Sequence, residues 1–381
     1  MASTGPRPLV AGNWKMNGTT ASLNEARLMA GMLKDVELNC DVMICPPATL
    51  IGKLHSLMRA AHISLGGQDC HWEKSGPHTG DISAEMLADA GAKWILLAYQ
   101  MVGPNIERLL ALRSKFTDVT FSSLVDNEKS ADDLNEAGIA NGSVFNVFID
   151  VNNGMNRSGH VTDGTLLSLY RYISTLSNVS FSGVHVYDGH LREPEFTDRK
   201  RSVDEAFEKV LPLFDLIKNH SGHAPMIIAG GSPSFTVHAM RPDVFLSPGT
   251  NVLWDWGYGD RFDGQPFQHA ALVITRVVSK PTAGIVTIDL GHKAIAPESP
   301  IENRFKLLNL PSYTLIGQSE EHGVLQVTQD VWDSTQIGDV LYALPFHVCP
   351  TVALHDFASI IENGEVTDEW KIVARNRRIT I

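Results

Sequence analysis

Hydrophobic residues in this chain fall into short runs that alternate with amphipathic stretches as far as about residue 250. The runs are rich in Val, Ile, Leu and aromatic residues, as buried parallel strands are. The predicted strands are Leu9–Asn13, Val42–Pro46, Ile63–Gly67, Trp94–Tyr99, Thr120–Val125, Phe145–Val151, Ser180–Tyr187, Met226–Gly230 and Val244–Ser247. The predicted helices between them include Ser22–Leu33, Ile106–Arg113, Gly164–Leu176 and Val203–Ile217. This alternation predicts an α/β fold, a (β/α)8-type TIM barrel.

The number of predicted strands exceeds what a closed barrel of this type contains. Such a barrel has eight parallel strands, whereas nine segments in the first part of the chain have the pattern of a strand. Either one assignment is wrong or the chain carries a surplus strand.

Beyond about Gly257 the pattern changes to strand-like runs with only short connections. These runs are Ala271–Val278, Gly284–Asp289, Val324–Val327, Gly338–Leu344 and Trp370–Ala374. They predict a second, mostly antiparallel β domain. The predicted division is a barrel at residues 1–255, with an internal change of character near residue 92, followed by a β domain at residues 256–381.

Charge and composition narrow the classes of partner. The net charge of −12 argues against nucleic acid or an acidic membrane surface as a partner. No apolar run approaches the length needed to cross a bilayer, and the first residues lack the pattern of a secretory signal. The four cysteines are too scattered to indicate a disulfide framework or a paired zinc motif. A cytoplasmic location is expected.

Several motifs occur at characteristic intervals in the first ninety residues. The segment 11–18 reads AGNWKMNG, Cys45-Pro46-Pro47 follows the second strand, and Gly67-Gln68-Asp69 follows the third. Over roughly residues 7–92 the chain resembles triosephosphate isomerase. The resemblance implies that Asn13 and Lys15 bind substrate, and Lys15 is a candidate catalytic residue.

The isomerase pattern stops at the fourth strand. Where that family continues into Gly-His-Ser-Glu, this chain reads Leu97-Ala98-Tyr99-Gln100, so Ala98 replaces the histidine that polarises the substrate carbonyl. The later segment that carries the family's catalytic Glu is absent from the sequence. Enolisation needs both a base and an electrophile, and isomerase activity is therefore not expected.

From about residue 93 to the end the chain resembles a different family. The segment 91–104 reads GAKWILLAYQMVGP, and together with the motifs below it is similar to the D-threonine aldolase/D-serine dehydratase branch of the alanine racemase-fold enzymes, which use pyridoxal 5'-phosphate (PLP). The resemblance implies a lyase that splits or dehydrates a D-3-hydroxy amino acid. It also implies a homodimer.

Three segments at strand ends match motifs that contact the cofactor in that family. Arg157 lies in the segment 150–159, and a guanidinium there can donate to the phenolate oxygen of the PLP ring, as the matching Arg does. Tyr187 lies in the segment 185–190, which reads HVYDGH. The phosphate cradle implied by the resemblance comprises Gly230, Gly231, Ser232, Gly249 and Thr250, since glycine turns expose N–H groups to anions.

The segment His347-Val348-Cys349-Pro350 is the clearest metal signal. In an extended chain residues i and i+2 share one face, so an imidazole and a thiolate can bind one divalent ion. The pair resembles the family's two-ligand metal site, in which His347 would also be catalytic. A thiolate ligand favours zinc over manganese or magnesium. The segment 319–323, SEEHG, also matches a family motif that could approach the metal-bound substrate hydroxyl.

The lysine that should hold PLP as a Schiff base is missing from its expected place. In the family it lies in an Arg-Pro-His-x-Lys-Thr-His-like segment, but the corresponding window Cys45–Leu50 contains no lysine, and Lys53 is expected on the following helix, facing away. If the isomerase-like strand joins the barrel, Lys15 becomes the one candidate to approach its mouth, although it does not lie in the matching segment. The chain therefore resembles a fusion joined within residues 88–92, either an impaired lyase or a non-catalytic barrel chimera.

Overall fold

The structure is a computed structural model that describes residues 9–13, 23–34, 36, 41–46, 48–59, 61–66, 94–117, 119–265 and 267–372. The chain divides into two compact units, of which the first ends its main span at Gly249 and the second begins at Thr250. The domain bounds drawn from the sequence stay a prediction. No helix in the described part of the chain is long and apolar enough to span a bilayer.

The first unit alternates strands with helices, as the sequence predicted. Its strands are β1 (Leu9–Asn13), β2 (Asp41–Cys45), β3 (Ile63–Leu65), β4 (Trp94–Gln100), β5 (Thr120–Val125), β6 (Phe145–Asn152), β7 (His160–Val161), β8 (Val179–Val186), β9 (Met226–Ala229) and β10 (Val244–Leu246). Its helices are α1 (Leu23–Lys34), α2 (Ala48–Arg59), α3 (Pro104–Lys115), α4 (Glu128–Asn141), α5 (Gly164–Thr175), α6 (Phe196–Glu208), α7 (Leu211–Ser221) and α8 (Phe235–His238).

Nine of these strands form one parallel sheet in the order β3-β2-β1-β10-β9-β8-β6-β5-β4, and β7 adds to β6 off this path. The isomerase-like strand β1 lies inside the sheet, paired with β2 over its whole length and with β10 at Val10 and Leu246. The surplus strand is therefore real, and β1 joins the sheet. The predicted barrel-type α/β fold is confirmed.

The hydrophobic pattern accounts for the central strands. Five consecutive residues of β6 are buried, and so are five consecutive residues of β5. Helices cover one face of these strands, and side chains from neighbouring strands pack on the other. The following helix α4 begins where Asn127 accepts a hydrogen bond from the N–H of Ser130 and ends at Gly142 in the left-handed conformation. These caps fix how the chain leaves β5 and returns to β6.

One helix prediction was wrong. The segment Val203–Ile217 was predicted as a single helix, but the chain forms α6 and α7 with a break between them. Pro212 occupies the first turn of α7, where its missing N–H costs nothing, and a proline there cannot continue the preceding helix.

The second unit is a mostly antiparallel β domain, which confirms the prediction. Its strands are β11 (Val273–Thr282), β12 (Ile285–Ile288), β13 (Phe305–Leu307), β14 (Tyr313–Gln318), β15 (Gly323–Val327), β16 (Val340–Pro345), β17 (Phe357–Glu362) and β18 (Glu365–Lys371). Its helices are α9 (Trp256–Gly259), α10 (Gln329–Ser334) and α11 (Val348–Val352). Six strands form a sheet in the order β13-β16-β11-β12-β15-β14, and β17 pairs with β18. Alternating buried positions in β13 and β15 show that the sheet has one covered face.

Gly183 offers a test of the packing between β6, β8 and β9. A Cβ atom there would lie 2.1 Å from the Met226 carbonyl oxygen and 2.8 Å from the Phe148 ring. We expect Gly183→Ala to lower the free energy of unfolding by about 1–3 kcal/mol or more, because neither neighbour can move without disturbing the sheet. Urea denaturation measures the change.

The matched control is Gly164→Ala at the start of α5, where nothing lies within 4 Å of an added Cβ. Its unfolding free energy should stay within about 0.5 kcal/mol of the parent protein or rise slightly. Equal unfolding midpoints for the two variants would contradict the packing described for β8.

Candidate functional site

The carboxyl ends of β6 and β8 carry a polar pair in register within the sheet. Asp150 on β6 lies directly opposite His185 on β8, and the two side chains are 2.7 Å apart from Oδ1 to Nδ1. The Ser158 hydroxyl donates to the second carboxylate oxygen of Asp150 at 2.9 Å. Asp150 is buried. This pair ties the loop after β6 to the neighbouring strand.

That loop presents Arg157. Asn152 organises its start, because its Oδ1 accepts the N–H groups of Gly154 at 3.1 Å and Asn156 at 2.9 Å. At its end the N–H of Gly159 donates to Asp126 at 2.8 Å. The loop is therefore fixed at both ends.

The exposed Arg157 guanidinium lies over the aromatic ring of Tyr187. The guanidinium carbon is 4.7 Å from the ring centroid, within the range of a cation–π contact. The structure thus brings together two residues that were singled out from separate motifs of the sequence. Together they present a cation and an aromatic face at the ends of β6 and β8.

The glycine turn after β9 packs against the same tyrosine. Gly230 has φ +92°, and a Cβ on Gly231 would lie 2.9 Å from the Tyr187 ring. The Gly230 N–H donates to the Val186 carbonyl at 3.2 Å, and the Gly231 N–H donates to Ser234 Oγ at 3.0 Å. The two N–H groups expected to face an anion are therefore used within the protein. Ser232 is buried in the same turn.

A polar network with a fully buried centre lies next to this turn. Asp188 accepts hydrogen bonds from Ser234 Oγ and, at 2.7 Å, from His238 Nε2. Arg241 donates to His238 Nδ1 at 3.2 Å, which leaves Nε2 as the protonated nitrogen that faces Asp188. Arg241 is held in turn by Asp204. The network joins the end of β8 to the turn after β9.

Asp188 is the centre of this network. Burial alone raises the pKa of its carboxyl, but hydrogen bonds from His238, Ser234 and the Gly231 N–H outweigh burial and hold the pKa below its ordinary value. Asp188 lies in the segment HVYDGH, where the sequence pattern indicated a role only for the aromatic and histidine residues. Its role depends on residues some fifty positions later, so local sequence carried no signal for it.

Two further polar groups near the loop after β6 lack hydrogen-bond partners. Both side-chain polar atoms of Asn153 are buried and unsatisfied, as is Nδ1 of His190. The ring of His190 lies close to the backbone after Asn153, since a Cβ on Gly154 would be 2.9 Å from its Nε2. Burial lowers the pKa of His190 and so favours its neutral form. Nothing in the local sequence pattern distinguishes Asn153 from its neighbours.

The second unit brings His347 and Cys349 together. Interaction with Cys349 is the largest cause of the raised pKa of His347. The extended segment predicted for the pair was wrong, because His347 occupies the N-cap position of α11 and Cys349 lies in its first turn. Asp255 accepts the Val348 N–H at 2.9 Å and so anchors the start of this helix. The pair is therefore positioned by a hydrogen bond from a distant residue to the start of the helix, and not by the alternation of side chains along a strand.

Glu298 and Thr250 surround the pair. Glu298 Oε1 is 2.7 Å from Nδ1 of His347, and the Thr250 hydroxyl is 3.7 Å from the Cys349 sulfur. The pKa of His347 is raised, first by its hydrogen bond to Cys349, against burial, and further by Glu298. The phosphate-binding role predicted for Thr250 and Gly249 stays a prediction.

The donor set suits a metal ion with two protein ligands. An imidazole and a neighbouring thiol, with a carboxylate at Nδ1 of the imidazole, match the chemistry of protein zinc ligands. Within the described ranges no group of three or more His, Cys, Asp or Glu side chains is placed to hold a metal. Water or substrate would have to complete the coordination shell.

The Ser319–Gly323 motif has a different environment. Glu320 and Glu321 lie 2.9 and 3.1 Å from the Lys293 ammonium, and all three side chains are largely exposed. These ion pairs give no support to a role in substrate binding.

The described part of the first unit provides no lysine for covalent attachment of PLP. None of the ten described strands β1–β10 contains a lysine. Lys53 lies on α2 and is exposed, as expected, and Lys15 falls outside the described residues. In the window that should supply the anchor, burial raises the pKa of the Cys45 thiol to about 11. The described residues therefore fit non-covalent contact with PLP but do not complete its site.

Comparison with known families confirms both resemblances. The profile of the Triosephosphate isomerase family matches residues 8–99, that of the Alanine racemase, N-terminal domain family matches residues 83–251, and that of the family described as "Putative serine dehydratase domain" matches residues 270–361. The isomerase match overlaps the alanine racemase match over residues 83–99, and the third match begins at residue 270.

Individual relatives show the same division. The chain is 50% identical over 99 residues to triosephosphate isomerase of Caulobacter vibrioides, which covers 26% of this chain and 39% of the isomerase. It is 28% identical over 290 residues to D-threonine aldolase of Arthrobacter sp., which covers 75% of each chain. The chain thus spans well under half the length of the isomerase that it matches.

A solved structure supports the fold. The crystal structure of D-threonine aldolase from Filomicrobium marinum superposes with a TM-score of 0.72 at 24% identity and covers 92% of both chains. The chain therefore shares the fold of that structure over most of its length.

The Asp188 network generates a stability prediction. Because the folded-state pKa of Asp188 lies below its unfolded value of about 3.9, the ionised carboxylate stabilises the fold at neutral pH, and this contribution is lost as the pH falls through the folded-state pKa. We expect Asp188→Asn to cost about 3–5 kcal/mol at pH 7, and less below about pH 4. Denaturation across this pH range measures the difference.

Asp243→Asn, at an exposed position of the same unit, is the control and should change stability little at any pH. An Asp188→Asn variant as stable as the parent at pH 7, or a deficit unchanged by pH, would refute the role given to this carboxylate.

Proposed function

We propose that the chain is a D-threonine aldolase/D-serine dehydratase-like protein for D-3-hydroxy amino acids in which turnover is weak or absent. The proposal is carried by a contrast. Arg157 and Tyr187 are paired after the ends of β6 and β8, whereas the ten described strands of the first unit contain no lysine. The binding residues of the lyase are present, and the covalent anchor is replaced.

The substrate class comes from the relatives and from the polar character of the strand ends. A named D-threonine aldolase covers 75% of this chain. The mouth of the first unit offers an exposed guanidinium and the unsatisfied side chains of Asn153 and His190. Such groups suit a small substrate with carboxylate and hydroxyl groups. Whether the ancestral reaction is cleavage or dehydration stays open.

His347 and Cys349 are the proposed metal ligands, with zinc favoured over manganese or magnesium because of the thiolate. A divalent ion held there would supply Lewis-acid polarisation of the substrate hydroxyl. The protein itself orients the two ligands through Asp255 and Glu298. A homodimer is proposed by resemblance alone.

The main alternative is a barrel chimera without catalytic function. The internal hydrogen bonds of the Gly230 and Gly231 N–H groups favour it, because they leave the turn stable without an anion. Triosephosphate isomerase activity is the least supported candidate, since Ala98 stands in the position of the carbonyl-polarising histidine. An assay with glyceraldehyde 3-phosphate should show no turnover.

The proposal predicts that the protein incubated with PLP and Zn²⁺ releases little or no glycine and acetaldehyde from D-threonine. It also predicts that PLP is bound reversibly and is removed by dialysis, because contacts through Arg157 alone are non-covalent. Arg157→Ala should weaken PLP binding measured by equilibrium dialysis. The control Arg171→Ala, at an exposed position on α5, should not.

Two results would contradict the proposal. Robust D-threonine cleavage would show that an anchor exists after all. If Arg157→Ala binds PLP as tightly as the parent protein, the proposed lyase-type PLP site is refuted. The non-catalytic chimera is then the better explanation.

A further inference from the structure

We infer that Glu298 is a positioning residue that selects which nitrogen of His347 binds a metal ion. The inference rests on the proposed function, because it concerns the same proposed metal pair. It goes beyond that function by naming a residue outside the His-x-Cys motif on which metal affinity depends. Neither the motif nor the relatives assign any role to this carboxylate.

The geometry fixes the roles of the two ring nitrogens. Glu298 Oε1 lies 2.7 Å from Nδ1 of His347, so Nδ1 carries a proton and donates to the carboxylate. In the neutral ring Nε2 then holds a lone pair. Only Nε2 remains available to a metal. A metal-binding histidine usually donates its other N–H to such a partner, and loss of the partner typically costs 10–100-fold in metal affinity.

The side chains involved are accessible. His347 and Glu298 are 44% and 46% exposed, so their hydrogen bond lies at a surface that an ion can reach. An exposed pair adds little to folding stability. Glu298 therefore contributes little to folding stability. Its position beside one ring nitrogen of His347, next to Cys349, is better explained by a role in orienting the ring.

Other residues of the second unit contact Cys349 and the residue before it. The Thr250 hydroxyl lies 3.7 Å from the Cys349 sulfur, and Asp255 holds the Val348 N–H between the two proposed ligands. Thr250, Asp255, Glu298, His347 and Cys349 all belong to the second unit. Metal binding should therefore survive the replacement of the N-terminal segment.

The test is titration of the full-length, metal-free protein with Co²⁺. Thiolate-to-cobalt charge-transfer absorption reports binding by Cys349, and competition with a chelator gives the dissociation constant. Glu298→Ala should weaken Co²⁺ binding about 10–100-fold. Glu298→Gln keeps an acceptor oxygen and should recover part of the loss. Glu302→Ala, at an exposed glutamate of the same unit, should bind as the parent does.

A second readout does not involve a metal. Long-range ¹H–¹⁵N spectra of the metal-free protein, at a pH where His347 is neutral, should show the Nδ1–H tautomer in the parent and a shift towards Nε2–H in Glu298→Ala. An Nε2–H tautomer in the parent protein would overturn the inference directly.

The outcomes separate this inference from the proposed function. If the parent shows thiolate-bound Co²⁺ and Glu298→Ala binds equally well, the role of Glu298 is refuted while the metal pair stands. If the parent shows no thiolate absorption and resembles Cys349→Ser, the metal part of the proposed function and this inference both fail.

Discussion

The position of β1 between β2 and β10 is the constraint on which the rest of the first unit depends. Its backbone hydrogen bonds place the isomerase-like strands in the same parallel sheet as β6 and β8, the strands that precede Arg157 and Tyr187. Parallel strands present their carboxyl ends, where barrel enzymes bind ligands, at one edge. The end of β2 therefore lies at that edge, and it brings Cys45 and Pro46 where the lyase pattern predicts a lysine.

Buried carboxylates hold the candidate residues in both units. In the first unit Asp188 joins the end of β8 to the glycine turn that packs on Tyr187. In the second, Asp255 anchors the short helix that carries Cys349. Each carboxylate makes more than one hydrogen bond to backbone or side-chain donors, as a buried charge requires. These supports lie outside the isomerase-like segment, so the residues proposed to bind cofactor and metal are positioned by the rest of the chain.

The sequence predicted the strands of the first unit well because they are continuous apolar runs, and the surplus strand was visible in their number. It missed β13, β14 and β17, whose short or alternating patterns are weaker signals. The shape of the His347–Cys349 segment could not be predicted, since it depends on a cap from Asp255, ninety-three residues earlier. The roles of Asp188 and Glu298 could not be predicted for the same reason, because their hydrogen-bond partners are distant in sequence. Motif resemblance selected His347 and Cys349 but not the residues that orient them.

The central claim is that no lysine of this chain anchors PLP covalently. Incubation of the full-length protein with PLP, reduction with borohydride and peptide mapping by mass spectrometry test it directly. The account predicts no stoichiometric modification at any lysine, with at most scattered labelling of exposed residues. Stoichiometric attachment of the coenzyme to a single lysine, whether Lys15, Lys53 or another, would contradict it.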